Sequence, residues 1–160
     1  MHHSLTIAKE LFDNMSAIFS ASSTEEGFLL GCTAQIDHIT DAVYLPSLHS
    51  GQNFYTPDPL KANEIIQDWS THGVCFCGFV HSHITGKPEL SQADLQFAER
   101  LLSAYKIPVL WFGLALVSQA TVRFRFYSVM TNYGITQIAP ISLFRGIISP
   151  RSKNAVTNLR

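Results

Sequence analysis

Apolar residues recur along the chain with two different periods, and the first of these is helical. Spacings of three and four residues predict helices over residues 4–19, 58–72 and 91–105. Ser4, Asp58 and Ser91 stand at the starts of these segments and are suitable N-cap residues. Pro59 directly after Asp58 strengthens the second assignment, because proline fits the first position of a helix.

The second period is that of β-strands, which are either buried throughout or alternate between apolar and polar residues. It predicts strands over residues 27–34, 42–46, 73–83, 107–117, 120–129 and 135–139, with a polar loop over 47–56. The strand at 120–129 alternates apolar residues with Arg123 and Arg125, which is typical of a half-exposed strand. We therefore predict a mixed α/β (α+β-like) fold with a central mixed β-sheet flanked by helices.

Length and composition narrow the class of protein. The 160 residues are enough for one domain, which we place at residues 1–149 with a polar tail at 150–160. A hydrophobic share of 46% with only 14% charged residues excludes a disordered chain or a coiled coil. No apolar stretch is long enough to span a membrane, and no signal peptide precedes the first helix. Three cysteines are too few for a disulfide framework, so we expect a cytoplasmic protein.

The charge is distributed unevenly. Residues 1–99 carry a balance of −9 and residues 100–160 a balance of +8. Either the two halves attract each other within one fold, which we favour, or the basic half presents a face to an acidic partner. We expect no nucleic-acid binding, because no motif for it is present and the pI is near 6.6.

Candidate chemistry is concentrated in one segment, His81-Ser82-His83 followed by seven residues and then Ser91-Gln92-Ala93-Asp94. Two histidines that are two residues apart on a strand point to the same face. The following loop returns the chain, and Asp94 falls in the first turn of the next helix. Two imidazoles and one carboxylate form a three-ligand site with an open fourth position, as in catalytic zinc sites. Ser91-x-x-Asp94 also has the pattern of a capping box, and the two roles are compatible.

This segment, HSH-x7-SxxD, resembles the motif of the JAMM (MPN) metalloproteases. The sequence GFLLG at 27–31, the Asp58-Pro59 helix start and the Gly-Phe-Val before HSH extend the resemblance to prokaryotic members of that family. The resemblance implies the MPN/JAB architecture, a three-layer fold like that of cytidine deaminase. It also implies one catalytic Zn²⁺ bound by His81, His83 and Asp94. Ser91 would then hydrogen-bond the zinc water or the oxyanion of the reaction.

The family also uses an upstream glutamate as general base, and here the position is displaced. The residue three before Gly27 is Thr24, and Glu25 and Glu26 follow it. A one-residue slip makes Glu25 the nearest match, whereas strand parity places Glu26 on the face of Thr24. We prefer Glu25 as the catalytic base and retain Glu26 as the alternative.

By resemblance, the protein is a zinc metallopeptidase that hydrolyses peptide or isopeptide bonds at the C-terminal tail of a ubiquitin-like or sulfur-carrier-type protein. One alternative is a non-catalytic MPN-type interaction module, which the displaced glutamate would suit. Another is a RadC-like JAB domain without an assigned activity. The expected partner is the substrate protein, and we expect no nucleic-acid or membrane partner. The sequence leaves open whether the chain forms a homodimer.

Overall fold

A computed structural model describes residues 4–51, 54–84 and 87–146, and there the chain forms a helix–sheet–helix sandwich. The helices are α1 (Lys9–Ala21), α2 (Pro59–Thr71) and α3 (Gln92–Tyr105). The strands are β1 (Ser4–Ala8), β2 (Gly27–Cys32), β3 (His38–Ile39), β4 (Asp41–Tyr44), β5 (Ser47–Ser50), β6 (Tyr55–Pro57), β7 (Cys75–His83), β8 (Leu110–Ser118), β9 (Thr121–Asn132) and β10 (Ile135–Gly146).

Eight of these strands form one mixed sheet in the order β3-β1-β10-β9-β8-β7-β2-β4. Strand β1 is parallel to both of its neighbours, β3 and β10, and β7 is parallel to β8. The remaining pairs are antiparallel. Strands β5 and β6 form a separate hairpin. The prediction of a mixed α/β fold with a central sheet flanked by helices is confirmed.

The sheet separates two hydrophobic cores. One lies under α1 and contains Leu30, Val80 and Trp111, and the other lies under α2 and α3 and contains Leu29 and Phe79. Consecutive strand residues thus enter opposite cores, because side chains alternate across a strand. The central strands are therefore apolar on both faces, which explains the continuous apolar runs in the sequence.

The first element corrects the sequence prediction. Residues 4–8 are a strand, and the helix begins only at Lys9, after an N-cap position at Ala8 that lacks a side-chain cap. Ser4 is thus not a cap. Leu5 fits the helical spacing, but Leu5 and Ile7 also alternate with polar residues, and both are fully buried. Pairing with β3 and β10 decides between the two patterns, and such tertiary pairing is not visible in local sequence.

Two further segments differ from the prediction. The expected polar loop over 47–56 contains the β5–β6 hairpin. Both strands are short, and their residues show no clear alternation of apolar and polar types. The last strand continues through Pro140 to Gly146 instead of ending at residue 139. Proline argues against a central strand, but here the following residues leave β9 and pair with β1.

The predictions for the other main elements are confirmed within two or three residues at most ends. None of the described helices combines the length and apolarity that a membrane crossing requires. The predicted polar tail at 150–160 lies outside the described residues.

Candidate metal centre

The site begins at the carboxyl end of β7. His81 and His83 are 5% and 8% exposed and lie on the sheet face that carries α2 and α3. Phe79 precedes them on the same face, and its ring lies 5.9 Å from that of His81 in a stacked arrangement. The ring of Tyr55 stacks on His81 at 6.0 Å. These aromatic contacts hold the His81 imidazole in an environment that is shielded from solvent.

The third member of the site lies at the start of α3. Ser91 is the N-cap, its Oγ accepts a hydrogen bond from the Asp94 N–H at 3.1 Å, and its own N–H donates to Asp94 Oδ2 at 2.8 Å. The predicted capping box is therefore confirmed. It holds the Asp94 carboxylate on the first turn with Oδ2 already oriented, so that Oδ1 is directed at His81 while Oδ2 lies near His83.

The three side chains converge on one point. His81 Nε2 lies 2.7 Å from Asp94 Oδ1, and His83 Nε2 lies 3.4 Å from Asp94 Oδ2. One ligand atom from each residue falls within 4.8 Å of the others. Despite the short contact, neither ring nitrogen of His81 makes a geometrically acceptable hydrogen bond with a described residue. Buried nitrogens without hydrogen bonds are rare, and a metal ion shared with Asp94 would satisfy Nε2, the ring nitrogen that faces the carboxylate.

A backbone carbonyl orients the second histidine. His83 Nδ1 lies 2.7 Å from the Lys87 carbonyl oxygen. Because a carbonyl only accepts, Nδ1 carries the proton, and the Nε2 lone pair is left to face Asp94. This arrangement is the usual support of a metal-binding histidine. The sequence offered no sign of it, since a backbone carbonyl has no residue-type signature.

The electrostatics of the cluster favour an ionised carboxylate among imidazoles. Burial by itself would raise the pKa of Asp94, but the neighbouring His81 and His83 hold it well below its usual range. Burial by itself would lower the pKa of His83, but the Asp94 carboxylate and the Lys87 carbonyl raise it. Asp94 thus supplies a deprotonated carboxylate to the buried site, the form in which a carboxyl group binds a metal.

The two candidate bases lie on opposite faces of the sheet. Gly27 pairs with His81, and the ladder continues through Glu26, whose carbonyl accepts from the Ser82 N–H at 2.9 Å. Continuing the register sets Glu25 opposite His83, and opposite residues of antiparallel strands share a face. Glu25 Oε2 accordingly lies 3.9 Å from His81 Nδ1.

Glu26 is directed away from this site, which corrects its assignment as an alternative base. Its Oε1 accepts from the Ser22 hydroxyl at 3.0 Å and its Oε2 from the Tyr44 hydroxyl. Its backbone N–H donates to Ser82 Oγ at 2.9 Å. The parity argument used Thr24 as the reference position, whereas the observed β2–β7 register places Glu25 on the histidine face.

Burial changes the acidity of Glu25. Its removal from water, together with the nearby Asp94 and against the opposing effect of His83, raises its pKa from 4.5 to about 7. A carboxyl group with a pKa near neutrality can both accept and release a proton at physiological pH. Perturbed groups of this kind concentrate in functional sites.

A cavity of about 260 Å³ opens onto the cluster. Its lining contains all the predicted site residues except Glu26, together with Phe54, Tyr55, Lys87 and Ala93. Gly27 is required here, because a Cβ atom at this position would come within 2.8 Å of the Tyr55 ring.

Comparison with known proteins identifies the fold but not the activity. No protein-family model matches the chain, and no curated protein matches it. Among solved structures, the chain is similar to the solution structure of protein DSY2949 from Desulfitobacterium hafniense, with a TM-score of 0.64 and 19% identity over 89% of this chain and 94% of that one. At this identity the similarity establishes a shared fold alone.

Proposed function

We propose that the protein is a zinc-dependent metallopeptidase of the JAMM/MPN type. Its substrates would be peptide or isopeptide bonds at the C-terminal tail of ubiquitin-like or sulfur-carrier-type proteins. The observation that carries the proposal is the convergence of His81, His83 and Asp94 beside the buried carboxyl of Glu25. The helix–sheet–helix layering also agrees with the three-layer architecture of that family.

The donor set is that of a catalytic metal site. Two imidazoles and a carboxylate leave a coordination position open, whereas structural zinc sites fill all four with protein ligands. A bound zinc ion would lower the pKa of a coordinated water to about 7 and supply the nucleophile at neutral pH. Two histidines and one carboxylate also suit iron(II), so the identity of the bound metal has to be measured.

The residues around the open coordination position would each have a separate role in hydrolysis. Glu25 would accept the proton of the attacking water and deliver it to the leaving nitrogen, because its carboxyl lines the same cavity as the metal-binding residues. Ser91 Oγ accepts from the Asp94 N–H, so its own proton is left to donate to the oxyanion of the transition state. The cavity is too narrow for a folded domain and fits an extended chain end.

Metal analysis tests the proposal. We expect about one zinc ion per wild-type chain and loss of that ion in Asp94→Ala, measured by mass spectrometry on protein purified without a histidine tag. Asp68→Ala and His72→Ala are matched controls, because both residues lie on the exposed surface of α2 and its C-cap. Iron in place of zinc would contradict the zinc assignment.

Cleavage of synthetic peptides that end in the tail sequence of a ubiquitin-like or sulfur-carrier protein provides the second test. We expect hydrolysis by the metal-loaded wild type and its loss in Asp94→Ala. Metal binding without hydrolysis of any tail would contradict the peptidase assignment. Absence of metal even after zinc addition would favour the non-catalytic interaction module.

A further inference from the structure

The strands β9 and β10 separate part of the way along the sheet. Their pairing runs from the hairpin turn to Phe126 opposite Ile141 and stops there. Beyond this point β10 pairs through residues 142–146 with β1, while residues 121–125 of β9 pair with β8. Two strand edges therefore face each other without a mutual ladder in the described residues.

The space between these edges, which we name the β9–β10 cleft, is a cavity of about 630 Å³. Residues of both sheet faces line it, because the opening passes between the strands. Phe12 of α1 and Phe124 form part of an apolar floor, with ring centroids 4.8 Å apart. Phe144 is 58% exposed at the rim. The cleft thus combines an apolar base with an open mouth.

Free strand edges are a chemical feature of this cleft. Each edge presents alternate N–H and C=O groups that a further extended segment could pair with. Recognition of this kind takes its affinity from the main chain and its specificity from alternate side chains.

The charge of the cleft indicates which kind of extended peptide segment it would bind. Arg125 and Arg145 both line it, and its lining contains no aspartate or glutamate. No acidic side chain pairs with either arginine in the part of the chain that the structure describes. The Arg145 guanidinium lies 4.9 Å from the centre of the Phe12 ring, at the floor. Arg125 lies on the face of α2 and α3, because it pairs with Leu114, whereas Arg145 lies on the α1 face over Phe12. A carboxylate on the α2–α3 face of an added strand would therefore meet Arg125.

We propose that the β9–β10 cleft binds an extended acidic segment of a partner protein by strand addition to the edge of residues 121–125. Its carboxylates pair with Arg125 on one face of the added strand, and its apolar side chains pack on Phe12 and Phe124 on the other face, beside Arg145. The cleft lies on the same end of the sheet as the metal centre, since Arg125 pairs with Leu114 and Leu114 with His81. With strands about 4.8 Å apart, His81 and Arg125 are roughly 10 Å apart across the sheet. The partner would therefore lie beside the metal centre, and the inference stands whether or not that centre is a peptidase.

The test uses a blocked hexapeptide of alternating valine and glutamate, with lysine in place of glutamate as its matched control. NMR titration of the full chain should show shifts in the amides of residues 121–125 and 142–146 with the acidic peptide alone. Arg125→Glu should weaken binding at least tenfold, and Arg145→Glu, on the face that receives the valines, should weaken it less. Arg100→Glu makes the same change of charge on α3 and should leave binding of the acidic peptide unchanged.

Three results would overturn the proposal. The acidic and basic peptides could bind equally, neither could perturb the cleft at several millimolar, or the three arginine variants could behave alike. Hydrogen exchange adds a further check on the free protein. Protection of the cleft amides before any peptide is added would mean that residues beyond Gly146 or a second copy of the chain already fill it.

Discussion

Glu25 and Glu26 are adjacent, of the same residue type and almost equally buried, at 5% and 8% exposure, yet they occupy opposite environments. Glu26 lies on the α1 side, where the hydroxyls of Ser22 and Tyr44 donate to its two oxygens. Glu25 lies on the metal-centre side, and no described residue donates a hydrogen bond to its carboxylate. Its Oε2 lies 3.9 Å from His81 Nδ1.

The difference shows how one strand separates a structural carboxylate from a chemically available one. A buried acid with its acceptor positions occupied is a fixed part of the packing. A buried acid without such donors has its ionisation opposed by burial, and this is the property that a proton carrier needs. Side-chain alternation along the chain next to β2 produces both environments from neighbouring residues.

The largest expected effect is that of Glu25→Gln on hydrolysis. Because general-base catalysis typically contributes about 10²–10⁴-fold, kcat/KM should fall by that factor. The amide keeps the size of the side chain, so metal content should stay near that of the wild type. Tail-peptide kinetics and metal analysis on the same preparation measure the two quantities.

Glu26→Gln is the matched control for that substitution. It neutralises the neighbouring carboxylate on the other face, so the rate should change far less than in Glu25→Gln. Equal losses in both variants would mean that the faces are not functionally distinct. Full activity in Glu25→Gln would remove Glu25 as the base.

The second effect concerns folding rather than catalysis. Glu26→Ala removes the Glu26 acceptor from the Tyr44 hydroxyl, whereas the Ser22 hydroxyl keeps the Thr24 carbonyl oxygen 3.0 Å away. Because a buried unsatisfied group costs about 1–3 kcal/mol, we expect the free energy of unfolding to fall by about that amount in urea denaturation, with metal content unchanged. Glu26→Gln keeps an acceptor oxygen and should lose less. A stability equal to the wild type in Glu26→Ala would show that the network contributes little.

The sequence predicts the parts of this site that depend on local rules. The two histidines of β7 share a face by parity, and Ser91 with Asp94 follows the rules of helix capping. The choice between Glu25 and Glu26 instead depends on the register between β2 and β7. That register is set by pairing of residues 43 to 54 positions apart, for which no local pattern exists.

The same limit explains the errors in the fold. Residues 4–8 fit a helix locally and become a strand because β10, far away in the chain, supplies a partner. The continuation of β10 past Pro140 has the same origin. In both cases the long-range pairing that the sequence did not reveal also forms the β9–β10 cleft.

The smallest expected effect reverses the usual sign of a substitution and appears only without metal. The folded-state pKa of Glu25 is about 7, above its ordinary value of 4.5. Below pH 4.5 the group is protonated in the folded and unfolded chains alike and has no effect on stability. As the pH rises from 4.5 through 7, ionisation is harder in the folded state, so the metal-free protein loses stability. Glu25→Gln should therefore stabilise the chelated protein by about 1–2 kcal/mol at pH 8.5 and leave it unchanged at pH 4. Urea denaturation at both pH values measures this, with the exposed Glu64→Gln as the control. If the metal-free Glu25→Gln variant is no more stable than the wild type at pH 8.5, Glu25 ionises in the folded protein without loss of stability. Glu25 and Glu26 would then differ in their position relative to the metal centre but not in the cost of ionisation.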